Sequence, residues 1–477
     1  MALDSPANRL SKTPDLGFAS RNLALTLLSE IQEKGAYANL YLPGALKESN
    51  LELRDRAFVT ELVYGTLRMQ LFYDQVIAKA AGRSLSQIDQ IPLQILRLTA
   101  HQLLTLQTPP HAAVDSAVRL VVKNRHGSAS GFINAISRRI SERDSHQWLE
   151  LLSASQDEIL RLATEFAHPP WIVRAYLARL NDISRVREEL AANNQNPEVT
   201  AVIYPGEQWS AATIAQSQES EWLPEARYVH GNPEQLGEIR TATAGIQDQG
   251  SYLVARVLSR VPTSTTAPPQ PSPTAPPPPL WLDLCAGPGG KAALLSRWSK
   301  AQGGRFLALE RSEHRAQLVR RACENIVIAD SLVPPIRAGS AERILLDAPC
   351  SGLGALRRRP DARLRKRESD IAELVLLQRA LLQSAEEMLA PGGILAYVTC
   401  SPMIEETSAN REWALQQFPS LQLIDARPFF HDQSDGTRME LGESLDVQLW
   451  PGRHGTDAMY LALFRKMGTH SDIPLQM

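Results

Sequence analysis

Cysteine is scarce in this sequence, with four residues, at 285, 323, 350 and 400, in a chain of 477. Four scattered thiols make no disulfide framework, and no Cys/His spacing among them suits a zinc site. Neither structural disulfides nor a bound metal is expected. No uncharged apolar run approaches the roughly 18 residues that a membrane span requires. The opening stretch, residues 1–23, is polar and lacks the apolar region of a secretory signal. The expected compartment is therefore the reducing cytoplasm. Charge of one sign is not in excess either, with 50 Lys+Arg against 52 Asp+Glu. Proteins coated in nucleic acid are usually basic, so any such contact has to come from a local cluster of charge.

What is present is ordinary globular material, 43% hydrophobic and 21% charged, enough for about three domains at roughly 150 residues each. The clearest boundary is residues 262–279, where nine of 18 residues are proline. Proline lacks the N–H that helices and central strands need, so this segment reads as an extended linker or surface loop. Before it, residues 20–145 read as a helical bundle. Ala24, Leu27, Leu28 and Ile31 share one helical face, as do Val59, Leu62, Val63 and Leu67, and Leu96, Ala100 and Leu103. Residues 146–245 are mixed, with a helix over 171–180 and a short strand over 199–204. The third region, 246–467, contains the proline segment and then changes texture. Short apolar runs at 280–284, 306–309, 344–346, 394–399 and 460–465 alternate with helical patterns at 292–298, 314–325 and 370–388. Strands alternating with helices imply an α/β, doubly wound, mostly parallel sheet of the Rossmann-like kind.

Three segments of this region carry chemistry. Residues 283–291 read D-L-C-A-G-P-G-G-K after one strand and before a helix. Gly287, Gly289 and Gly290 permit a tight turn and close backbone approach to a ligand. Glu310 ends the next strand, where a carboxylate can accept from both ribose hydroxyls of a nucleoside cofactor. Residues 345–354 read L-L-D-A-P-C-S-G-L-G and place Asp347 and Cys350 just past a strand. Residues 397–402 read Y-V-T-C-S-P and place Cys400 likewise. Two cysteines at two strand ends, one beside an aspartate, suggest thiolate chemistry, because a thiolate is a strong nucleophile once a cleft makes it available. Residues 357–367, R-R-R-P-D-A-R-L-R-K-R, hold seven basic side chains in 11 positions. Beside such a site, Arg357, Arg358, Arg359 and Arg363 are expected to form a phosphate-binding strip; the competing reading is a solvated charged face.

Together C-A-G-P-G-G-K, D-A-P-C-S-G and V-T-C-S resemble the RNA cytosine-carbon-5 methyltransferases, and within them the RsmB/Sun type that acts on 16S ribosomal RNA. Residues 55–68 (D-R-A-F-V-T-E-L-V-Y-G-T-L-R), 109–114 (P-P-H-A-A-V) and 131–138 (G-F-I-N-A-I-S-R) are similar to that family's NusB-like helical domain. Residues 246–251 (I-Q-D-Q-G-S) resemble its entry into the catalytic domain. The resemblance implies an all-α NusB-like RNA-binding bundle, a small α+β domain and a methyltransferase domain that uses S-adenosyl-L-methionine. It implies that Cys285, Ala286, Gly287, Pro288, Gly289, Gly290 and Lys291 hold the methionine part of the cofactor. Glu310 would hold the ribose, and Asp330 would lie near the adenine. Asp347 corresponds to the catalytic acid and also lines the cofactor site. Cys400 corresponds to the nucleophile and Cys350 to the cysteine that assists product release. The alternative is Cys350 as nucleophile, the arrangement of DNA cytosine methyltransferases.

The implied partner is ribosomal RNA, with a single-stranded or loop cytosine splayed into the site, and the protein is expected to be a monomer. Competing readings are a non-catalytic ribosome-assembly factor on the same fold and a methyltransferase of tRNA. The sequence departs from the family pattern in using Glu310 where Asp is commoner, in Thr407 after Glu405–Glu406 where asparagine is usual, in T-D-A-M-Y at 456–460, and in the proline insert.

Overall fold

The computed structural model describes residues 16–35, 37–263, 277–431 and 439–468. The chain divides into two compact units. One runs to Val173 and also takes Arg359–Leu364; the other comprises Arg174–Arg358 and the chain from Arg365 onward.

The first unit is helical. Its central helix, Gln90–Leu104, is buried on all sides from Pro92 to Gln102. Leu96 and Ala100 of the expected face are buried, Leu103 half-buried. Polar side chains at such depth need partners. The Arg97 guanidinium accordingly forks onto Asp74, at 2.6 and 2.8 Å, and His101 Nδ1 meets the Tyr73 hydroxyl at 3.0 Å. Helix Leu16–Glu33 contributes Ala24, Leu27, Leu28 and Ile31, and helix Leu53–Arg68 contributes Val59, Leu62, Val63 and Leu67. The unit runs past residue 145 because Trp148 and Ala167 are buried in the same core.

The second unit holds two sheets. The smaller is antiparallel, with four strands: β1 (Val199–Ile203), β2 (Ser217–Glu219), β3 (Ala226–Val229) and β4 (Ala244–Ile246), in the order β2-β3-β1-β4. The larger comprises β5 (Leu280–Asp283), β6 (Arg305–Glu310), β7 (Ile326–Ile328), β8 (Ala341–Asp347), β9 (Leu389–Thr399), β10 (Leu421–Ile424), β11 (Val447–Gln448) and β12 (Tyr460–Lys466). Its order is β10-β12-β9-β8-β5-β6-β7, with β11 on β12. The strands from β9 to β7 are mutually parallel, and β12 and β10 extend the sheet antiparallel. Separate apolar clusters cover its two faces. One includes Leu253, Val257 and Leu294, the other Leu381, Leu382 and Ala385. The chain thus holds a doubly wound Rossmann-like methyltransferase sheet in one unit and an all-α region in the other, as the alternating pattern implied.

The chain leaves β5 toward β6 on one side and returns to β8 on the other, so the strand order reverses there. Ligand crevices of open α/β sheets lie outside the carboxyl ends of the strands at such a reversal. Of the proline-rich segment, residues 264–276 lie outside the described residues. Its flanks are bonded: Thr263 Oγ1 donates to Glu342 at 2.8 Å, and the Pro279 carbonyl accepts from Arg305 N at 2.8 Å.

Candidate active site

The carboxyl ends of β6, β5 and β8 bring Glu310, Asp283 and Asp347 side by side. After β5 the backbone keeps pairing, Leu284 N with the Leu345 carbonyl and Ala286 N with the Leu309 carbonyl, both at 3.0 Å. The chain then turns through Gly287 and Pro288 into helix Gly290–Ala301. Gly287 N donates to Glu310 Oε2 at 2.9 Å. A Cβ at Gly287 would stand 2.5 Å from that same oxygen, so only glycine lets the loop sit directly on the acid. Gly289, at φ +115°, lies in the glycine-favouring region, and a Cβ there would be 3.0 Å from Val319 Cα. Glu310 is buried; its other oxygen accepts from Ser312 N at 2.9 Å, and Arg315 Nε lies 3.7 Å from Oε2. Asp330 follows β7, where Ala329 N is bonded to the Glu310 carbonyl at 3.2 Å. Its carboxylate accepts from Leu332 N at 3.0 Å and closes its own turn.

Lys291, in the first turn of the helix, donates to Asp347 Oδ2 at 2.7 Å. Burial works against its ammonium, but Asp347 and, further off, the Cys400 sulfur raise its pKa above the ordinary lysine value. Asp283 is 1% exposed, and burial together with the neighbouring Asp347 charge pushes its pKa up to about 7. Cys285 is also pushed up by burial and by Asp283, so it carries an inert, protonated thiol. Asp347 pairs in register with Val398, and the loops that follow β8 and β9 carry Cys350 and Cys400 together, with their sulfurs 3.3 Å apart. The hydrogen bond to Cys400, and then burial, hold the Cys350 thiol well above its ordinary pKa.

The structure brings together Cys285–Lys291, Glu310, Asp347, Cys350 and Cys400 along one edge, with Asp330 beside Glu310. The arginine strip is divided. Arg357 is buried against Asp248 (3.5 Å), Asp457 (3.3 Å) and the Gly455 carbonyl (3.1 Å). Arg358 donates to Asp248 at 2.9 Å and to Asp457 at 3.3 Å. Arg363 is 1% exposed and faces the carbonyls of Arg68, Phe166 and Ala167. These three guanidinium groups are committed to internal acceptors, whereas Arg359 and Arg367 are exposed. Sequence reasoning also missed the side chains around the cysteines. Glu406 accepts from the Ser351 and Ser401 hydroxyls, both at 2.6 Å. The available signal was that each cysteine is followed by serine, in P-C-S and T-C-S.

A glycine turn pressed onto a strand-end acid, at the reversal point of a doubly wound sheet, places the second unit in the class of nucleoside-cofactor methyltransferase folds. Comparison with known proteins narrows the class. The family model of 16S rRNA methyltransferase RsmB/F matches residues 274–465, and that of the NusB family matches residues 19–142. The Mycobacterium tuberculosis protein named "Putative methyltransferase Rv1407" is 38% identical over 458 residues, covering 94% of this chain and 96% of the relative. The ribosomal RNA small subunit methyltransferase B of Erwinia tasmaniensis is 26% identical over 458 residues, covering 93% and 97%. The crystal structure of the protein PH0851 has the same fold, with TM-score 0.74 and 22% identity over 95% of this chain and 99% of that one. The chain belongs to the RsmB/F family of 16S rRNA methyltransferases, enzymes that use S-adenosylmethionine. No helix among the described residues is long and apolar enough to cross a membrane.

Proposed function

We propose that this enzyme methylates carbon 5 of a cytosine in 16S ribosomal RNA, in the cytoplasm, through a covalent adduct at Cys400. The observation that carries the reading is the pair of sulfurs 3.3 Å apart, on the loops that follow the adjacent strands β8, which ends in Asp347, and β9. Cytosine carbon 5 is too weak a nucleophile to take a methyl group unaided. Attack of a thiolate at carbon 6 breaks the ring's aromaticity and moves electron density onto carbon 5. Cys350 keeps its own proton and donates to Cys400, and the Lys291 ammonium favours negative charge at that sulfur. The Lys291–Asp347 pair holds a proton that can be shared with ring nitrogen 3, which offsets the charge developing on the pyrimidine. A water molecule takes the carbon-5 proton as the Cys400–carbon 6 bond breaks and its electron pair returns to the sulfur, and the Cys350 thiol is the nearest acid to that departing sulfur.

The cofactor fits the residues present. The backbone of residues 285–291 and the buried Glu310 beneath Gly287 make a cradle for the methionine and ribose parts, and Asp330 borders the adenine end. Each Glu310 oxygen accepts one backbone N–H and has a lone pair left for a ribose hydroxyl. Bound there, S-adenosylmethionine supplies an electrophilic methyl group. Exposed Arg359 and Arg367 are the side chains of the basic segment left for RNA phosphates.

The test is covalent trapping. Cys400→Ala removes the nucleophile, so no enzyme–RNA adduct forms. Cys350→Ala still attacks but releases slowly, and runs as an RNase-sensitive shifted band on a denaturing gel when RNA and cofactor are present. A band from Cys400→Ala and none from Cys350→Ala reverses the two roles. Wild-type activity in both variants, with no band, rejects the thiolate mechanism.

A further inference from the structure

We infer that Glu406 is a positioning residue that sets the approach of the two cysteine sulfurs. It lies in the loop between β9 and helix Ser408–Gln417 and is 0% exposed. Its Oε1 accepts from Ser351 N at 2.8 Å and from Gln378 Nε2 at 3.0 Å. Its Oε2 accepts from the hydroxyls of Ser351 and Ser401, both at 2.6 Å. A buried carboxylate persists only where its lone pairs are filled, and here four donors fill them. Those donors are not arbitrary. Ser351 follows Cys350 and Ser401 follows Cys400, so one rigid carboxylate is bonded to the residue next to each thiol.

The surroundings fix the carboxylate in turn. Gln378 Nε2 also donates to the Pro349 carbonyl at 2.9 Å. A carbonyl only accepts, so the amide orientation is determined, and Asn410 Nδ2 donates to the opposite end, Oε1, at 2.7 Å. The Tyr397 hydroxyl donates to the Glu406 carbonyl at 2.7 Å. The residues on both sides of Cys350, Pro349 and Ser351, are thereby held by one network, and Gly354 N closes it with a bond to the Cys400 carbonyl at 2.9 Å. A thiol is a weak donor that works only at close range. The proton kept on Cys350 and offered to Cys400 depends on this spacing. The effect on catalysis rests on the proposed function above; the effect on the sulfur–sulfur approach does not.

The experiment uses the full chain and the variants Glu406→Gln, Glu406→Ala and Ser401→Ala. Glutamine retains an acceptor for Ser351 N and Gln378, and its amide can donate to the two serine hydroxyls, which rotate to accept. Alanine removes every arm at once; Ser401→Ala removes one arm and spares the buried acid. Without RNA, the rate at which the thiol oxidant diamide joins Cys350 to Cys400 is read by peptide mass spectrometry. The two thiols lose two electrons and two protons to the oxidant as the S–S bond forms, so the rate reports their approach and needs no methyl transfer. Alkylation of Cys400 by iodoacetamide is followed against pH, and kcat and KM for methyl transfer are measured alongside.

Glu406→Ala should slow disulfide formation and lower kcat by about tenfold or more, as small displacements of reacting groups do. KM for S-adenosylmethionine should hold, and the alkylation profile should move to higher pH. Glu406→Gln should restore most of each. If Glu406→Ala does not fold, Ser401→Ala with an unchanged melting temperature should still oxidise more slowly. Wild-type oxidation rates in every folded variant overturn the inference. Slowed oxidation in Glu406→Ala, in an enzyme whose Cys400→Ala variant still methylates RNA, supports the positioning role and rejects the nucleophile assignment instead.

Discussion

Asp283 is the residue on which the electrostatics of the site turn. It sits between Asp347 and Glu310 at adjacent strand ends, and its pKa is pushed up to about 7 by burial first and by Asp347 second. A carboxyl group whose folded pKa is raised stabilises the fold fully below its unfolded value and loses that contribution as pH rises through its folded value. From Asp283 alone, the enzyme should therefore lose stability between about pH 4, the ordinary carboxylate range, and about pH 7. The loss should be on the order of 4 kcal/mol. Cys285 N donates to Asp283 Oδ1 at 3.2 Å, a bond that an amide oxygen also accepts. Asp283→Asn should therefore fold and flatten this dependence, gaining on wild type at pH 8 relative to pH 5 in urea unfolding. Parallel pH slopes in the two proteins would show that the buried acid does not titrate in this window.

The segment at residues 357–367 shows how one element divides between two jobs. Arg357 and Arg358 form a quartet with Asp248 and Asp457, and Asp248 also caps helix Gln249–Arg260 through Gly250 N at 2.8 Å. Removing one member of a buried ion cluster costs about 3–5 kcal/mol, here because Asp248 and Asp457 are left to share the single guanidinium of Arg358. Arg357→Ala should accordingly lower stability by that order and leave the salt dependence of RNA binding unchanged. Arg359→Ala with Arg367→Ala should do the reverse, hardly moving the melting temperature and reducing the salt slope of RNA binding by about 1–2. The reverse assignment of effects would put phosphate contacts back on the quartet. Sequence could not separate the two groups, because Asp248 lies 110 residues from Arg358 and Asp457 lies 99 residues from it. The same distance hid the role of Glu406, whose donors Ser351 and Gln378 lie 55 and 28 positions away. The strands ending in Asp283, Glu310, Asp347 and Thr399 were legible because each is a short apolar run closed by a polar residue and a turn. β7 was not, since its three residues, Ile326–Ile328, are half-buried or exposed at a sheet edge and carry no alternation. The Cys350–Cys400 approach was not legible either, since it depends on β8 and β9 being neighbours in the sheet.

At the scale of the whole molecule, the chain is not divided where the sequence texture changes. Arg359–Leu364 belongs to the helical unit although it follows β8 in sequence. Leu364 packs against the helical core, and Arg363 approaches the carbonyls of Arg68, Phe166 and Ala167 at 3.3–3.4 Å and His168 Nδ1 at 3.4 Å. Burial first, and then the Arg363 charge, push His168 well below the ordinary histidine pKa. The imidazole stays neutral, and its Nδ1–H donates to the Phe166 carbonyl at 2.6 Å. A helical fragment cut at residue 173 lacks all of this: the Arg68 and Ala167 carbonyls lose the Arg363 donor, while the Phe166 carbonyl keeps His168. Each buried acceptor left without a partner costs about 1–3 kcal/mol. Arg363→Met in the full chain fills the same volume without donors and isolates that effect from any effect of truncation. We expect it to lower the unfolding free energy of the helical unit by about 2–5 kcal/mol, and to raise amide exchange in helices Leu53–Arg68 and Glu158–Glu165 while β5 and β8 keep their protection. Hydrogen-exchange mass spectrometry of the intact protein reads both regions in one experiment. Equal protection in Arg363→Met and wild type would mean that the helical unit is complete at residue 173, and that the six residues borrowed from beyond β8 contribute nothing to its stability.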